Sequence, residues 1–536
     1  MKRFGVMLDM SRNAVMKPYE VKRLAFVLHS LGYNMIQLYT EETYEVEGEP
    51  YFGYLRGRYT EEELCDIVEY CDSIGVEVIP CIQTLAHLNR MFKWMHVYGH
   101  INDTADILLC DDERTYELIE RMFISLKRTF KSEYVHIGMD EAHMLGLGKY
   151  LDKHGYQNRF EILCRHLSRV VEIAAKHGFK PIMWSDMFFR LGNSGRYSSK
   201  NPIITDEVIA ITPREVGLVY WDYYSTDKTL YDAMIAAHKK FPNELWFAGG
   251  TWTWAGLSSG NKKSLDTMLP AMLAAKEAGV ENIFMTMWGD NGKECSFYSV
   301  LPALYAIRRA YDGELDTEKL RAEFAVITGE SFDAMMDLDK VNFVGGNTDG
   351  AKCIAKTMLY NDPFLGFFDS GVKEGGAAEY SAHAELLAAH AKESASYGYV
   401  FEAAAALCRT LAVKYDLGAR TRAAYKTGDR AALADLASDY AEAAARAEEF
   451  YEKFYVLWHK ENKPHGFEVQ DQRIGGLIMR LKACRRRLLA YLDGSEASLP
   501  ELDEVILDWF GGGESFAEGA YPARNNWSYI VSPSVV

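Results

Sequence analysis

The sequence predicts an α/β protein: a (β/α)8 TIM barrel over residues 1–315, followed by an all-α C-terminal domain. From residue 1 to about 312, short apolar runs alternate with longer amphipathic stretches. Eight such runs occur, at 4–8, 34–39, 76–82, 134–138, 181–184, 217–221, 245–248 and 282–288. Polar and aromatic residues gather where these runs stop. Beyond Asp312-Gly313 the alternation ends, and residues 377–492 carry long Ala-, Glu- and Leu-rich patterns with a period of about 3.6.

Each apolar run has the length of a buried strand, and helical periodicity fills the gaps at 18–31, 61–73, 114–130, 159–177, 228–240 and 264–278. Gly32, Gly75, Gly178 and Gly279 follow helical patterns where a C-terminal glycine is expected. The fifth helix, placed at 203–210, has the faintest periodicity. Residues 316–376 are expected to form a helical connector, and 377–536 a helical domain. The alanine run 403–406 favours helix and close packing and requires no ligand. Residues 463–467 mark a turn between bundle helices.

Several function classes are excluded by bulk properties. At 536 residues, with 48% hydrophobic and 25% charged residues, the chain is globular and large enough for more than one core. A net charge of −17 disfavours nucleic acid, and the one basic cluster, Arg485-Arg486-Arg487, falls within a helical pattern. Nine cysteines without paired spacing suit a reducing compartment better than disulfides or a zinc site. The apolar run near the N-terminus stops at Asp9, which reads as a strand and not a signal peptide. No segment approaches the ~18 uninterrupted apolar residues that span a bilayer. A cytoplasmic protein with no membrane partner is expected. The bundle offers surface for a homodimer, which the sequence does not demand.

In a barrel of this kind the loops after the strands build the active site. The strand ends supply Asp9-Met10-Ser11-Arg12, Glu41-Glu42, His87, Asp140-Glu141, Trp184-Ser185-Asp186, Trp221-Asp222-Tyr223-Tyr224, Trp252-Thr253-Trp254 and Trp288-Gly289-Asp290-Asn291. No phosphate loop, nucleotide fingerprint or Gly-x-Ser-x-Gly elbow is present, so no cofactor is expected. Carboxylates and indoles dominate, which points to cleavage of a sugar bond, with the rings as flat apolar platforms. Like charges as close as Asp140 and Glu141 raise the pKa of at least one, a candidate proton carrier near neutral pH. Retaining glycosidases ordinarily set two carboxyl groups ~5 Å apart across the bond, and inverting ones ~6.5–9.5 Å. Adjacent residues point in opposite directions and cannot readily do this. Their geometry fits a mechanism in which the substrate brings its own nucleophile.

The segment His136-Ile137-Gly138-Met139-Asp140-Glu141 resembles the strand-four motif His-x-Gly-Gly-Asp-Glu of glycoside hydrolase family 20, the β-N-acetylhexosaminidases. Asp9-Met10-Ser11-Arg12 resembles the family's Asp-Val-x-Arg, residues 80–87 its strand-three segment ending in Pro-Gly-His, and Trp288-Gly289-Asp290 its Trp-Gly-Glu. Met139 replaces the second glycine, and Leu85-Ala86 replace the Pro-Gly. The chain is most similar to the hexosaminidase D-like and bacterial subgroup with a helical C-terminal domain.

The resemblance implies an exo-acting, retaining, substrate-assisted and metal-free enzyme releasing terminal β-linked N-acetylglucosamine or N-acetylgalactosamine from small glycans. It implies Glu141 as general acid and base, and Asp140 as the group orienting the acetamido nucleophile. Tyr223 or Tyr224 would hold the acetamido oxygen, Arg12 the sugar hydroxyls and Asp290 the 4- or 6-hydroxyl. Trp184, Trp221, Trp254 and Trp288 would wall the pocket, and His87, with Glu41 behind it, would tune Glu141. His136 reads as a core histidine beneath the pair, His143 as a loop residue, and Asp186 and Asp222 as secondary polar contacts. Competing readings are a galactosamine-selective enzyme, a catalytically silent amino-sugar-binding barrel, and a metal-dependent hydrolase using His136, Asp140, Glu141 and His143, which EDTA would inactivate.

Overall fold

A computed structural model describes residues 2–192, 196–507 and 526–536. Eight parallel strands close into a barrel: β1 (Arg3–Asp9), β2 (Met35–Tyr39), β3 (Glu77–Cys81), β4 (Tyr134–His136), β5 (Lys180–Trp184), β6 (Gly217–Trp221), β7 (Leu245–Gly250) and β8 (Asn282–Met287). Going round the barrel the order is β1-β8-β7-β6-β5-β4-β3-β2, so every strand lies beside its sequence neighbour and β8 closes on β1. The expected α/β barrel followed by a helical region is what the chain forms.

Alternate residues of the strands fill the interior. Met7, Met35, Tyr39, Ile79, Ile182, Val219, Trp246 and Phe284 meet there, all buried. Each such side chain contributes about 1.5–3 kcal/mol when fully removed from water. The crossover helices start where local caps allow. Thr60 and Glu63 form a reciprocal capping box before Glu61–Ser73, and Asp112, Asn158 and Asp227 accept N–H groups at the starts of Glu113–Thr129, Arg159–Lys176 and Lys228–His238.

Three local features depart from the expected pattern. Strand β4 regularly pairs only over three residues, because Gly138 and Met139 adopt left-handed backbone with φ of 71° and 69° and turn the chain. An additional short helix, Asp186–Gly192, leaves β5 directly, and the faint fifth helix is a six-residue segment, Asp206–Ile211. A small antiparallel pair, Asn102–Thr104 with Ile107–Leu108, interrupts the connection from β3.

The chain divides into two compact units. The first comprises residues 1–251, 264–288 and 304–320; the second comprises 252–263, 289–303 and 321–536. Within the second, the helices Gly376–Glu393, Gly398–Lys414, Arg430–Glu461 and Phe467–Asp493 form the main body. Ala403, Ala405 and Ala406 are buried at the packed face of Gly398–Lys414, where small side chains let helices approach. The turn before Phe467 passes through Gly466 at φ 92°. A charged cluster is buried here: Glu294 lies 2.6 Å from Lys356 Nζ and 2.8 Å from Arg473 Nη1. Among the described residues no helix is long and apolar enough to cross a membrane.

Candidate active site

The left-handed turn after β4 sends Asp140 and Glu141 in different directions. Asp140 is buried, whereas the Glu141 side chain keeps 42% of its surface open. Glu141 is itself left-handed, with φ 49°. A non-glycine residue holds that conformation only when its surroundings impose it.

Asp140 is fixed from two sides. Its Oδ1 accepts Gln83 Nε2–H at 2.8 Å, and its Oδ2 lies 3.0 Å from His87 Nε2. The same His87 nitrogen is 4.0 Å from Glu141 Oε2, so the imidazole stands between both carboxyl groups. Burial alone would favour neutral imidazole and a protonated Asp140. The ion pair outweighs it on both partners, lifting His87 to about 10, and His87 together with the Gln83 hydrogen bond holds Asp140 down at about 2. At neutral pH Asp140 is a carboxylate and His87 an imidazolium.

A polar chain continues toward β1. Gln83 Nε2 also donates to the Tyr39 hydroxyl at 3.1 Å, and that hydroxyl donates to Glu41 Oε1 at 2.9 Å. Arg12 Nη1 lies 3.3 Å from Glu41, and its Nε 3.8 Å from Asp9 Oδ2. Asp9 in turn accepts the Ser11 N–H and hydroxyl. Burial pushes the Glu41 carboxyl up to about 7, with Arg12 opposing. Beside this chain, Glu42 pairs with Arg56 at 2.9 Å, and Arg56 donates to the Ser11 carbonyl.

The aromatic wall in the barrel unit consists of Trp184, Trp221, Tyr223 and Trp288. Trp288 Nε1–H donates to the Tyr223 hydroxyl at 3.2 Å, and Trp221 stacks on Tyr223 at 5.4 Å. Trp184 lies 6.1 Å from Trp288 and is buried. Of the two tyrosine candidates, Tyr223 is 7% exposed and Tyr224 57%. His136 is fully buried against Trp184 at 4.4 Å, accepts the Gly138 N–H on Nδ1, and is driven down to about 3 by burial. Such a histidine is neutral and supports the turn that carries the carboxylates. Trp254 and Asp290 fall in the second unit, where Trp254 stacks on Trp252 at 4.6 Å and Asp290 is exposed.

Residues beyond the sequence candidates also reach the carboxylate pair. Gln83 is the principal one; its position two residues past Cys81, on the same strand face, is the signal that could have found it. Tyr39 follows Met35 and Gln37 by the same alternation. Arg190, not among the sequence candidates, has its Nη2 3.6 Å from Glu141 Oε1, and Asp186, expected as a secondary polar contact, accepts the Glu141 N–H on Oδ2 at 3.3 Å. Among the described residues no three His, Cys, Asp or Glu side chains come together to hold a metal.

Two family models match separate stretches of the chain. Residues 35–205 match the model of the glycosyl hydrolase family 20 catalytic domain, and residues 330–516 that of the glycoside hydrolase 20C C-terminal domain. Hexosaminidase D of Bos taurus is 22% identical over 238 residues, covering 43% of this chain and 64% of that protein. Beta-hexosaminidase 3 of Arabidopsis thaliana is 25% identical over 142 residues, covering 25% and 26%. The chain thus spans between about a quarter and just under two thirds of these relatives' lengths. The chitobiase structure of Flavobacterium johnsoniae is 18% identical, with a TM-score of 0.47 over 94% of this chain and 74% of that one.

Proposed function

Because this chain belongs to glycoside hydrolase family 20, we propose that it is a glycoside hydrolase that removes terminal β-linked N-acetylglucosamine or N-acetylgalactosamine, with retention and with the substrate's acetamido group as nucleophile. One observation carries this reading. Asp140 is a buried carboxylate clamped by His87 and Gln83, next to an open Glu141. Two adjacent carboxyl groups with separate environments suit separate tasks.

In the first step Glu141 gives its proton to the glycosidic oxygen as the C1–O bond breaks and the acetamido carbonyl oxygen bonds to C1. The alcohol departs and a cyclic oxazolinium remains. Asp140 accepts the acetamido N–H, a hydrogen bond that strengthens as positive charge develops on that group. In the second step the Glu141 carboxylate takes a proton from water, whose oxygen bonds to C1 as the oxazolinium ring opens. The product keeps the β configuration, and Glu141 is protonated again. Tyr223, the more enclosed tyrosine and already tied to Trp288, is assigned to the acetamido oxygen. Arg12, pre-set by Glu41 and Asp9, is assigned to sugar hydroxyls. Trp184, Trp221 and Trp288 enclose the sugar.

The test compares nitrophenyl N-acetylglucosaminide, nitrophenyl N-acetylgalactosaminide and nitrophenyl glucoside, with a thiazoline analogue as inhibitor. Both amino sugars should be cleaved, the glucoside spared, and the thiazoline should inhibit. Glu141→Gln should lose about 10²–10⁴-fold on substrates with poor leaving groups, since donating a proton is its task. Asp140→Asn should impair even nitrophenyl substrates. Equal cleavage of the plain glucoside, or near-parental activity in Asp140→Asn, overturns the substrate-assisted assignment.

A further inference from the structure

The short helix leaving β5 begins at Asp186 and carries Arg190 one turn later, so the two side chains share a face. Asp186 is fully buried. Its Oδ2 accepts the Glu141 N–H at 3.3 Å and the Arg190 Nε–H at 3.1 Å, while its buried Oδ1 meets no donor among the described residues. Arg190 is half-buried, and its Nη2 stands 3.6 Å from Glu141 Oε1. One guanidinium therefore faces two carboxyl groups, bonded to the first and just out of hydrogen-bonding range of the second. The charged and titratable groups around Asp186 are Asp140, Glu141, Arg190 and Tyr197, and Glu141 also faces His87, whose Nε2 lies 4.0 Å from its Oε2 and which every variant below retains. Burial and the Asp140 charge keep the Asp186 carboxyl up at about 7, against the pull of Arg190.

The geometry points to Asp186 and Arg190 as positioning residues for the general acid Glu141, sharing one cation that shifts toward Glu141 as that side chain gives up its proton. This rests on the acid–base role proposed above. While Glu141 is a neutral carboxyl it attracts the guanidinium weakly, and Arg190 remains on Asp186. Once the proton has passed to the glycosidic oxygen, Glu141 is an anion. Nη2, now 3.6 Å away, then needs to move by about 0.7–0.9 Å to reach the ~2.7–2.9 Å of a charge-assisted hydrogen bond. When Glu141 recovers a proton from water, the cation returns. The stabilisation grows with the charge that the reaction creates, which is the condition for lowering a barrier and not merely binding the substrate. Asp186 limits the effect as its own carboxyl ionises on the approach to pH 7 and above, the range in which the alkaline limb is read. Without that charge, Arg190 would settle on Glu141, keep it ionised and deprive it of the proton it must donate. The Asp186 bond to the Glu141 N–H also pins the left-handed backbone from which the acid projects.

The experiment measures pH profiles of kcat/KM for the full-length parent, Arg190→Gln, Arg190→Lys and Asp186→Asn. The substrates are N,N′-diacetylchitobiose, a poor leaving group, and nitrophenyl N-acetylglucosaminide, a good one. Thermal melting establishes which variants are folded. The alkaline limb reports loss of the acid's proton. Removing the cation should move that limb to higher pH in Arg190→Gln. Removing the competing anion should move it to lower pH in Asp186→Asn. Arg190→Gln should also lose roughly tenfold or more on the disaccharide and stay within about threefold on the nitrophenyl substrate, with Arg190→Lys restoring much of the difference. Should Asp186→Asn fail to fold, the Gln–Lys contrast at Arg190 decides the matter. Limbs that stay in place, shift in the same direction, or accompany equal losses on both substrates would overturn the shared-cation arrangement. A parent inactive on both substrates would instead overturn the acid role itself.

Discussion

His87 shows how one side chain sets two others. Its Nε2 lies 3.0 Å from Asp140 and 4.0 Å from Glu141, and its left-handed backbone, φ 59°, is held by the Asp106 carboxylate accepting its N–H. The ion pair favours the imidazolium in the folded state. That contribution is whole below the unfolded value of about 6.5 and is lost as pH rises through about 10. From the Asp140 side, the same pair holds above about 4 and is lost as pH falls toward about 2. His87→Gln should therefore melt below the parent near pH 6, and the gap should narrow steadily toward pH 10. Melting curves across that range check this, and a gap that stays constant would remove the charged His87 from the account.

At the scale of the element, the turn after β4 is the decisive piece of backbone. Gly138 sits at φ 71°, and a Cβ there would lie 2.0 Å from Gln83 Oε1 and 2.5 Å from its Cδ. Neither the backbone region nor the space admits a side chain. Gly138→Ala should cost about 1–3 kcal/mol from strain alone. It should also displace Gln83 from Asp140, so turnover should fall further than the loss of folded protein explains. Parallel measurement of melting and of active-site-normalised kcat separates the two effects. An alanine variant with parental kcat would show that Gln83 is dispensable to Asp140.

At the scale of the whole molecule, the second unit buries a charged cluster of its own, separate from the carboxylates of the barrel unit. Lys356 and Glu294 are both removed from solvent, and Lys356 also donates to Asn291. Removing one partner of a buried ion pair leaves a charge without its full compensation, at a cost of about 3–5 kcal/mol. Lys356→Met should lower the denaturant midpoint by a corresponding amount even though methionine fits an apolar site. An unfolding free energy within about 1 kcal/mol of the parent would mean that Arg473 alone compensates Glu294.

By itself the sequence determined the eight strands, the crossover helices, the helical region and the motif that places Asp140 beside Glu141. These are local facts. Alternation with a period of two or 3.6 marks a buried face wherever the neighbours lie, and a polar strand end stands out against its apolar run. Only the tertiary structure decided which side chains converge on the pair. Gln83, Tyr39 and Arg190 are far from Asp140 and Glu141 in the chain, and nothing in their immediate neighbours distinguishes them from core or surface residues. The short strand β4 was likewise hidden, since the left-handed turn at Gly138-Met139 depends on Gln83 accepting the Met139 N–H from another strand. A carboxyl group's charge depends on burial and on partners brought within a few ångströms by folding. Asp140 ionised, and Asp186 raised to about 7, are therefore properties of the assembled barrel.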